Sequence, residues 1–305
     1  MVMTMSDAES DPDSETTSIA TETKAEAGAG TEAEISDDSD EKTDETDPAT
    51  DEILRVDALR KNFGGIVAVD GATFAVERGS LTGLIGPNGA GKSTAYNCIT
   101  GIHHPTSGTV VFDGEDITGL QPHQVVDRGL VRTFQIAREL PNMTVLENLM
   151  LPAKDQRGEK LWRSVTPFVR ASVVEEEEHL RERIWETLEF FEIEHLAEER
   201  AGNLSGGQRK LLELARALMT DPEMLLLDEP FAGVNPTLEN KLLERIHELR
   251  TEGYTFLIVE HDMDLIMDHC ERVIVMHQGR VLTEGSPADV KADEQVIEAY
   301  LGGEV

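Results

Sequence analysis

From Ile53 onward, short runs of consecutive apolar residues alternate with stretches whose apolar positions recur every three or four residues. The first pattern suits strands buried on both faces and the second suits helices with one buried stripe, so their alternation predicts an α/β domain. Leu81 to Ile85, Met224 to Leu227 and Thr255 to Val259 are the continuous runs expected to form interior strands. Ile53 to Leu59, Val67 to Val69, Thr73 to Val76 and Val110 to Asp113 read as further strands, separated by turn signals such as Gly64-Gly65 and Glu77-Arg78-Gly79. Arg272 to Met276 and Arg280 to Thr283 flank a His-Gln-Gly turn and predict a hairpin. Between Gln135 and Ser205 the signal is helical. Over Val173 to Arg200, Leu180, Ile184, Leu188 and Phe191 fall three and four apart, which places them on one stripe, whereas Glu175 to Glu178 is expected to face water. A helical subdomain, about residues 136–220, is therefore expected as an insertion in the α/β core.

Charge changes the picture at the N-terminus. The chain has 305 residues with 60 Asp plus Glu against 27 Lys plus Arg, a formal net charge of −33. Residues 1–52 hold 18 of the acids and only Lys24 and Lys42, a net −16 that leaves −17 for residues 53–305. With no Phe, Tyr or Trp and no apolar periodicity, this first segment cannot bury enough surface to offset chain entropy, and a disordered acidic tail is expected. So acidic a surface excludes nucleic acid as a partner, because gripping phosphate backbones takes a basic face. No apolar run approaches the roughly 18 residues of a membrane span, so work at a membrane requires a partner. Cys98 and Cys270 lie far apart and outside any metal-ligand spacing, which argues against a disulfide scaffold or a zinc site. Self-repulsion at this charge is largely screened at about 1 M salt, where the Debye length is roughly 3 Å, and a salt-adapted cytosol is the expectation that follows.

The chemistry lies in three short motifs. Gly86, Pro87, Asn88, Gly89, Ala90, Gly91, Lys92 and Ser93 fit the P-loop pattern, after a strand and before a stretch from Thr94 to Cys98 that can open a helix. Its glycines let backbone N–H groups turn toward phosphates, while Lys92 reaches the β and γ oxygens and the Ser93 hydroxyl takes Mg²⁺. A magnesium site also needs a carboxylate at the end of another buried strand. Asp228 follows four apolar residues and meets that need through water, with Glu229 one residue on, placed to polarise an attacking water, and Pro230 ending the strand. In the third motif, Leu204, Ser205, Gly206, Gly207 and Gln208 stand before a helix expected over Arg209 to Thr220. A hydroxyl, two glycines and a helix N-terminus together form a cradle for a γ-phosphate.

This pentapeptide resembles the signature of ATP-binding cassette (ABC) ATPases, and the resemblance extends over essentially all of residues 53–303. It implies a P-loop NTPase ABC domain with an antiparallel β subdomain and an inserted helical subdomain, using ATP and Mg²⁺. It implies further roles for Gln135 as the loop glutamine touching Mg²⁺ and water, for His261 as the γ-phosphate-sensing histidine and for Phe63 as the aromatic that stacks on adenine; core packing is the alternative for Phe63. Asn235 stands where most cassettes have aspartate, which puts a salt bridge across the dimer in doubt. With Arg132-Thr-Phe-Gln135, Asn142-Met-Thr-Val-Leu-Glu-Asn148 and the ending Val296 to Gly302, the chain is similar to ATP-binding subunits of high-affinity branched-chain amino acid importers. The partners so implied are integral-membrane permease subunits, a second ABC ATPase subunit in a homo- or heterodimer, and a solute-binding protein. The implied location is peripheral, on the cytoplasmic face of the cell membrane. Phe134 and Pro141 to Val145 are candidates for the permease-docking surface, with internal packing as the alternative. Two other readings stay open: a different cargo, such as urea, short amides or an exported lipid, and a soluble ABC ATPase without a permease.

Overall fold

The computed structural model describes residues 51–133, 140–152 and 167–301. Its first strands, β1 (Glu52–Phe63) and β2 (Ile66–Glu77), form a hairpin closed at Gly64-Gly65. The fold therefore begins before Ile53: the Asp51 carbonyl already accepts the Arg78 N–H at 2.7 Å, and Glu52 pairs with Glu77. With β4 (Ser107–Phe112) and β5 (Glu115–Asp116) the hairpin makes a four-stranded antiparallel sheet of order β2-β1-β4-β5. A second sheet has the order β10-β9-β3-β8-β7-β6 and contains β3 (Leu81–Ile85), β6 (Leu130–Thr133), β7 (Met224–Asp228), β8 (Thr255–Val259), β9 (Arg272–His277) and β10 (Arg280–Gly285). It is parallel from β9 to β6, and β10 closes it as the antiparallel arm of the expected hairpin.

Continuous apolar runs are explained by burial of this sheet on both faces. In β7, Leu225 and Leu227 point into one core with the helices, and Met224 and Leu226 point into another with the antiparallel sheet. The helix α1 (Lys92–Ile99) fills that second core with Ala95, Tyr96 and Ile99. In the first core, α4 (Pro167–Phe190) lays down Ile184 and Leu188, followed by Phe191, all at most 1% exposed, with Leu180 packed at the margin. The expected stripe is thus the buried one.

This helix ends at Phe190, ten residues short of Arg200, where the charged stretch that carries the stripe ends. Glu192 adopts a left-handed φ of 54°, its N–H donates to the Glu189 carbonyl at 2.9 Å, and the Ile193 N–H donates to the Leu188 carbonyl at 2.9 Å. That is a Schellman stop, which glycine usually provides. Here Glu192 serves, held through its carboxylate by Lys241 and Arg245, both at 2.7 Å. Those cations lie on α6 (Pro236–Thr251), some 50 residues on, so no local signal announces the stop. Helix α5 (Gly206–Leu218) starts three residues earlier than expected because Ser205 and Gln208 cap it reciprocally.

Candidate active site

At the carboxyl edge of the parallel sheet, β3, β7 and β8 lie side by side, and the loops leaving them carry the three groups that chemistry at a phosphate requires. β3 runs into the glycine loop. At Gly86, with φ 149°, a Cβ would collide with the Met276 carbonyl, so no other residue fits. Lys92 Nζ holds the loop from within, donating to the carbonyls of Gly86 (2.5 Å) and Pro87 (3.3 Å), and Tyr300 on α9 (Glu294–Leu301) is half-buried near the Gly86 backbone. Burial pushes the Lys92 ammonium below its usual value, against the pull of Glu229 and Asp228, and pushes Tyr300 up to about 12. Asn88, Gly89 and Ser93 are exposed, Pro87, Gly91 and Thr94 are half-buried, and Ala90 is buried.

Asp228 ends β7 with its side chain 3% exposed and paired to Arg132 on β6, Nη2 to Oδ2, at 2.6 Å. Glu229 then turns the chain with a left-handed φ of 51°, its N–H donating to the Val259 carbonyl on β8 at 2.9 Å. A non-glycine residue there costs energy, and such conformations concentrate at functional sites. The turn lifts the Glu229 carboxylate to His261, whose Nε2 lies 2.6 Å from Glu229 Oε1. Both side chains remain about half exposed, at 44% and 51%. A carboxylate, an imidazole and an ammonium thus meet at one edge. Carboxylate and hydroxyl oxygens from Asp228 and Ser93 are donors of the kind that Mg²⁺ takes.

The other expected residues divide. Phe63 is 44% exposed at the hairpin tip, edge-on to His103 at 5.2 Å with Lys61 Nζ 5.0 Å from its ring, so core packing is excluded. Ser205 Oγ accepts the Gln208 N–H at 3.3 Å, which leaves the hydroxyl proton to donate elsewhere. The two signature glycines differ. Gly206 is open on its Cβ side, whereas a Cβ on Gly207 would collide with Leu238 of α6, so Gly207 also permits close contact between the two helices. Asn235 caps α6, its Oδ1 accepting the Leu238 N–H at 3.0 Å. Gln135 and Phe134 lie outside the described residues. Of Pro141 to Val145, Pro141 and Asn142 are exposed and Val145 is buried, which splits the two readings of that segment.

Comparison with known proteins identifies the family. Residues 69–232, more than half of the chain, match the family model described as ABC transporter. The chain belongs to the ABC transporter family. Residues 280–305 match a second model, described as branched-chain amino acid ATP-binding cassette transporter. A relative in Archaeoglobus fulgidus, "Probable branched-chain amino acid transport ATP-binding protein LivG", is 44% identical over 83% of this chain and 96% of its own length. The BraF protein of Pseudomonas aeruginosa, a high-affinity branched-chain amino acid transport ATP-binding protein, is 41% identical over 82% of this chain and 98% of its own. Among solved structures, an ATP-binding cassette of an ABC transporter in its ADP conformation superposes with a TM-score of 0.70 at 40% identity, covering 82% of this chain and 99% of that one.

Two residues of this ABC ATPase that sequence reasoning missed become visible in the fold. Glu260, 6% exposed, accepts the Phe231 N–H through Oε1 at 3.0 Å and the His261 N–H through Oε2 at 3.2 Å, tying the loop after Glu229 to the histidine. Burial raises its carboxyl above the usual value. Asn148, fully buried on α3 (Val145–Met150), holds the Leu140 N–H at 2.9 Å and donates to the carbonyls of Leu140 and Thr144 at 3.2 and 2.9 Å. The turn it fastens is stitched to the approach to the signature: the N–H groups of Val145 and Ala201 donate to the carbonyls of Glu199 and Met143, each at 2.9 Å. Asn148 lies between Glu147 and Leu149 and gives no local sign of such a latch, whereas the carboxylate directly before His261 gives one.

Proposed function

We propose that this ABC ATPase hydrolyses Mg²⁺-ATP to energise import of branched-chain amino acids through membrane permease subunits. The observation that carries the hydrolytic part is the meeting of Lys92, Asp228, Glu229 and His261 at one sheet edge. The cargo reading rests on the matched segment 280–305 and on the names of the relatives. On nucleotide binding, Lys92 trades two neutral carbonyls for anionic phosphate oxygens, which make roughly twofold stronger hydrogen bonds. Ser93 and Asp228 would hold Mg²⁺, with Gln135 as a further ligand, and the ion would neutralise charge on the β and γ phosphates. Phe63, exposed at the hairpin tip, offers its ring to adenine. Glu229 takes the proton of the attacking water while His261 fixes the carboxylate by its 2.6 Å hydrogen bond.

The site is completed by a second cassette, whose Ser205, Gly206, Gly207 and Gln208 face the γ-phosphate with the N-terminus of α5 behind them. Loss of the γ-phosphate removes the shared ligand and the pair reopens. The stitches between residues 143–146 and 197–201 make the signature and the exposed Leu140-Pro141-Asn142 surface move together, which suits that surface to a permease. No described helix is long and apolar enough to cross a membrane, so attachment to its cytoplasmic face comes from the permease, and a solute-binding protein delivers cargo outside.

The test is uptake. Proteoliposomes holding the complex recovered with this chain from native membranes should accumulate labelled leucine when ATP is supplied at the cassette side. The Glu229→Gln variant should bind ATP with near-normal affinity yet lose at least about 100-fold in turnover and in uptake. Recovery without any polytopic protein, or undiminished turnover in Glu229→Gln, would refute the reading.

A further inference from the structure

Arg132 has a position that its role in the fold does not require. Its side chain is 2% exposed, and its guanidinium donates through Nη1 to Asn97 Oδ1 and through Nη2 to Asp228 Oδ2, both at 2.6 Å. The same group lies over the ring of Tyr96, 5.6 Å from its centroid, and the Tyr96 hydroxyl donates to the Leu257 carbonyl at 2.5 Å. One side chain on β6 therefore pins the helix that Lys92 and Ser93 open, the end of β7 and, through Tyr96, β8. Buried ion pairs of this kind are frequently no more stabilising than apolar residues of equal volume, so stability alone does not account for it. Geometry gives a better reason. Among the described residues, Asp228 is bonded through Oδ2, which leaves Oδ1 for another ligand.

We infer that Arg132 is a positioning residue for the metal site: it clamps one oxygen of Asp228 and so fixes the direction in which the other meets the divalent ion. Partners behind a ligating carboxylate typically change metal affinity 10–100-fold when removed. Lysine is a poor substitute, because one ammonium lacks the planar fork that spans Asn97 and Asp228 together. The inference rests on Asp228 being a metal ligand, as proposed above.

Mn²⁺ affinity of the ADP-loaded protein, titrated by electron paramagnetic resonance, tests both statements separately. Metal-free ADP affinity and the thermal midpoint without metal serve as controls for folding. Asp228→Asn should weaken Mn²⁺ binding; an unchanged value refutes the ligand role and the inference with it. Arg132→Met and Arg132→Lys should each weaken Mn²⁺ binding by roughly tenfold while metal-free ADP affinity stays within about twofold. Asn97→Ala, which frees one arm of the fork and keeps the charge, should shift it in the same direction by less, and carries the test if Arg132→Met does not fold. Lowered thermal midpoints with undiminished Mn²⁺ affinity, alongside a weakened Asp228→Asn, would make Arg132 structural only and overturn the inference.

Discussion

Single residues at this site differ in how far their partners lie along the chain, and that distance decides what a sequence discloses. Lys92, Ser93, Asp228 and Glu229 sit in contiguous motifs whose chemistry is readable from spacing. Glu260 does not, since the Phe231 N–H that it accepts is 29 residues away. Its raised carboxyl pKa has a consequence for stability. Where the folded value exceeds the unfolded one, the folded state binds more protons, so the residue's contribution falls as pH rises from about 4.5 through the folded pKa and stays low above it. Glu260→Gln removes that slope. An amide has one carbonyl oxygen, so either Phe231 or His261 loses its acceptor, at a cost of about 1–3 kcal/mol. Urea unfolding between pH 4.5 and 7 should therefore show a weaker decline with pH in the variant, and ATP turnover should drop because His261 no longer holds Glu229 in place. Parallel pH profiles for the two proteins would contradict this role.

At the scale of elements, strands were the most legible part and helix ends the least. Strand runs in β3, β7 and β8 are apolar on both faces, so burial itself marks them. The end of α4 depends on Lys241 and Arg245, and the start of α5 on a reciprocal cap whose residues also form the signature. Dual use is clearest at Gly207, which the sequence offers as a phosphate contact and which also makes room for the crossing of α5 and α6. Gly207→Ala should cost about 1–3 kcal/mol by overpacking against Leu238. Adding Leu238→Ala should recover most of that loss. Chemical denaturation of the single and double variants measures both, and additive losses would show that the clash is not with Leu238.

Over the whole molecule, charge and fold act against each other. The net −17 on residues 53–305 surrounds a site for a polyanion, and Lys92 with the helix N-termini must prevail locally against that field. The urea midpoint should rise between about 50 mM and 1 M KCl as screening shortens the Debye length from above 10 Å to roughly 3 Å. A midpoint that is flat or falling with KCl would show that repulsion does not limit this fold. The sequence by itself determined the class of fold, the nucleotide motifs and the family, because each is written in spacings of a few residues or in runs that burial demands. Only the tertiary structure decided that Arg132 grips Asp228, that His261 reaches Glu229, that Phe63 is exposed and that Gly207 makes room for Leu238. Those pairings span 96 and 32 residues of chain, and they follow from the order in which parallel strands lie side by side, which no local pattern encodes.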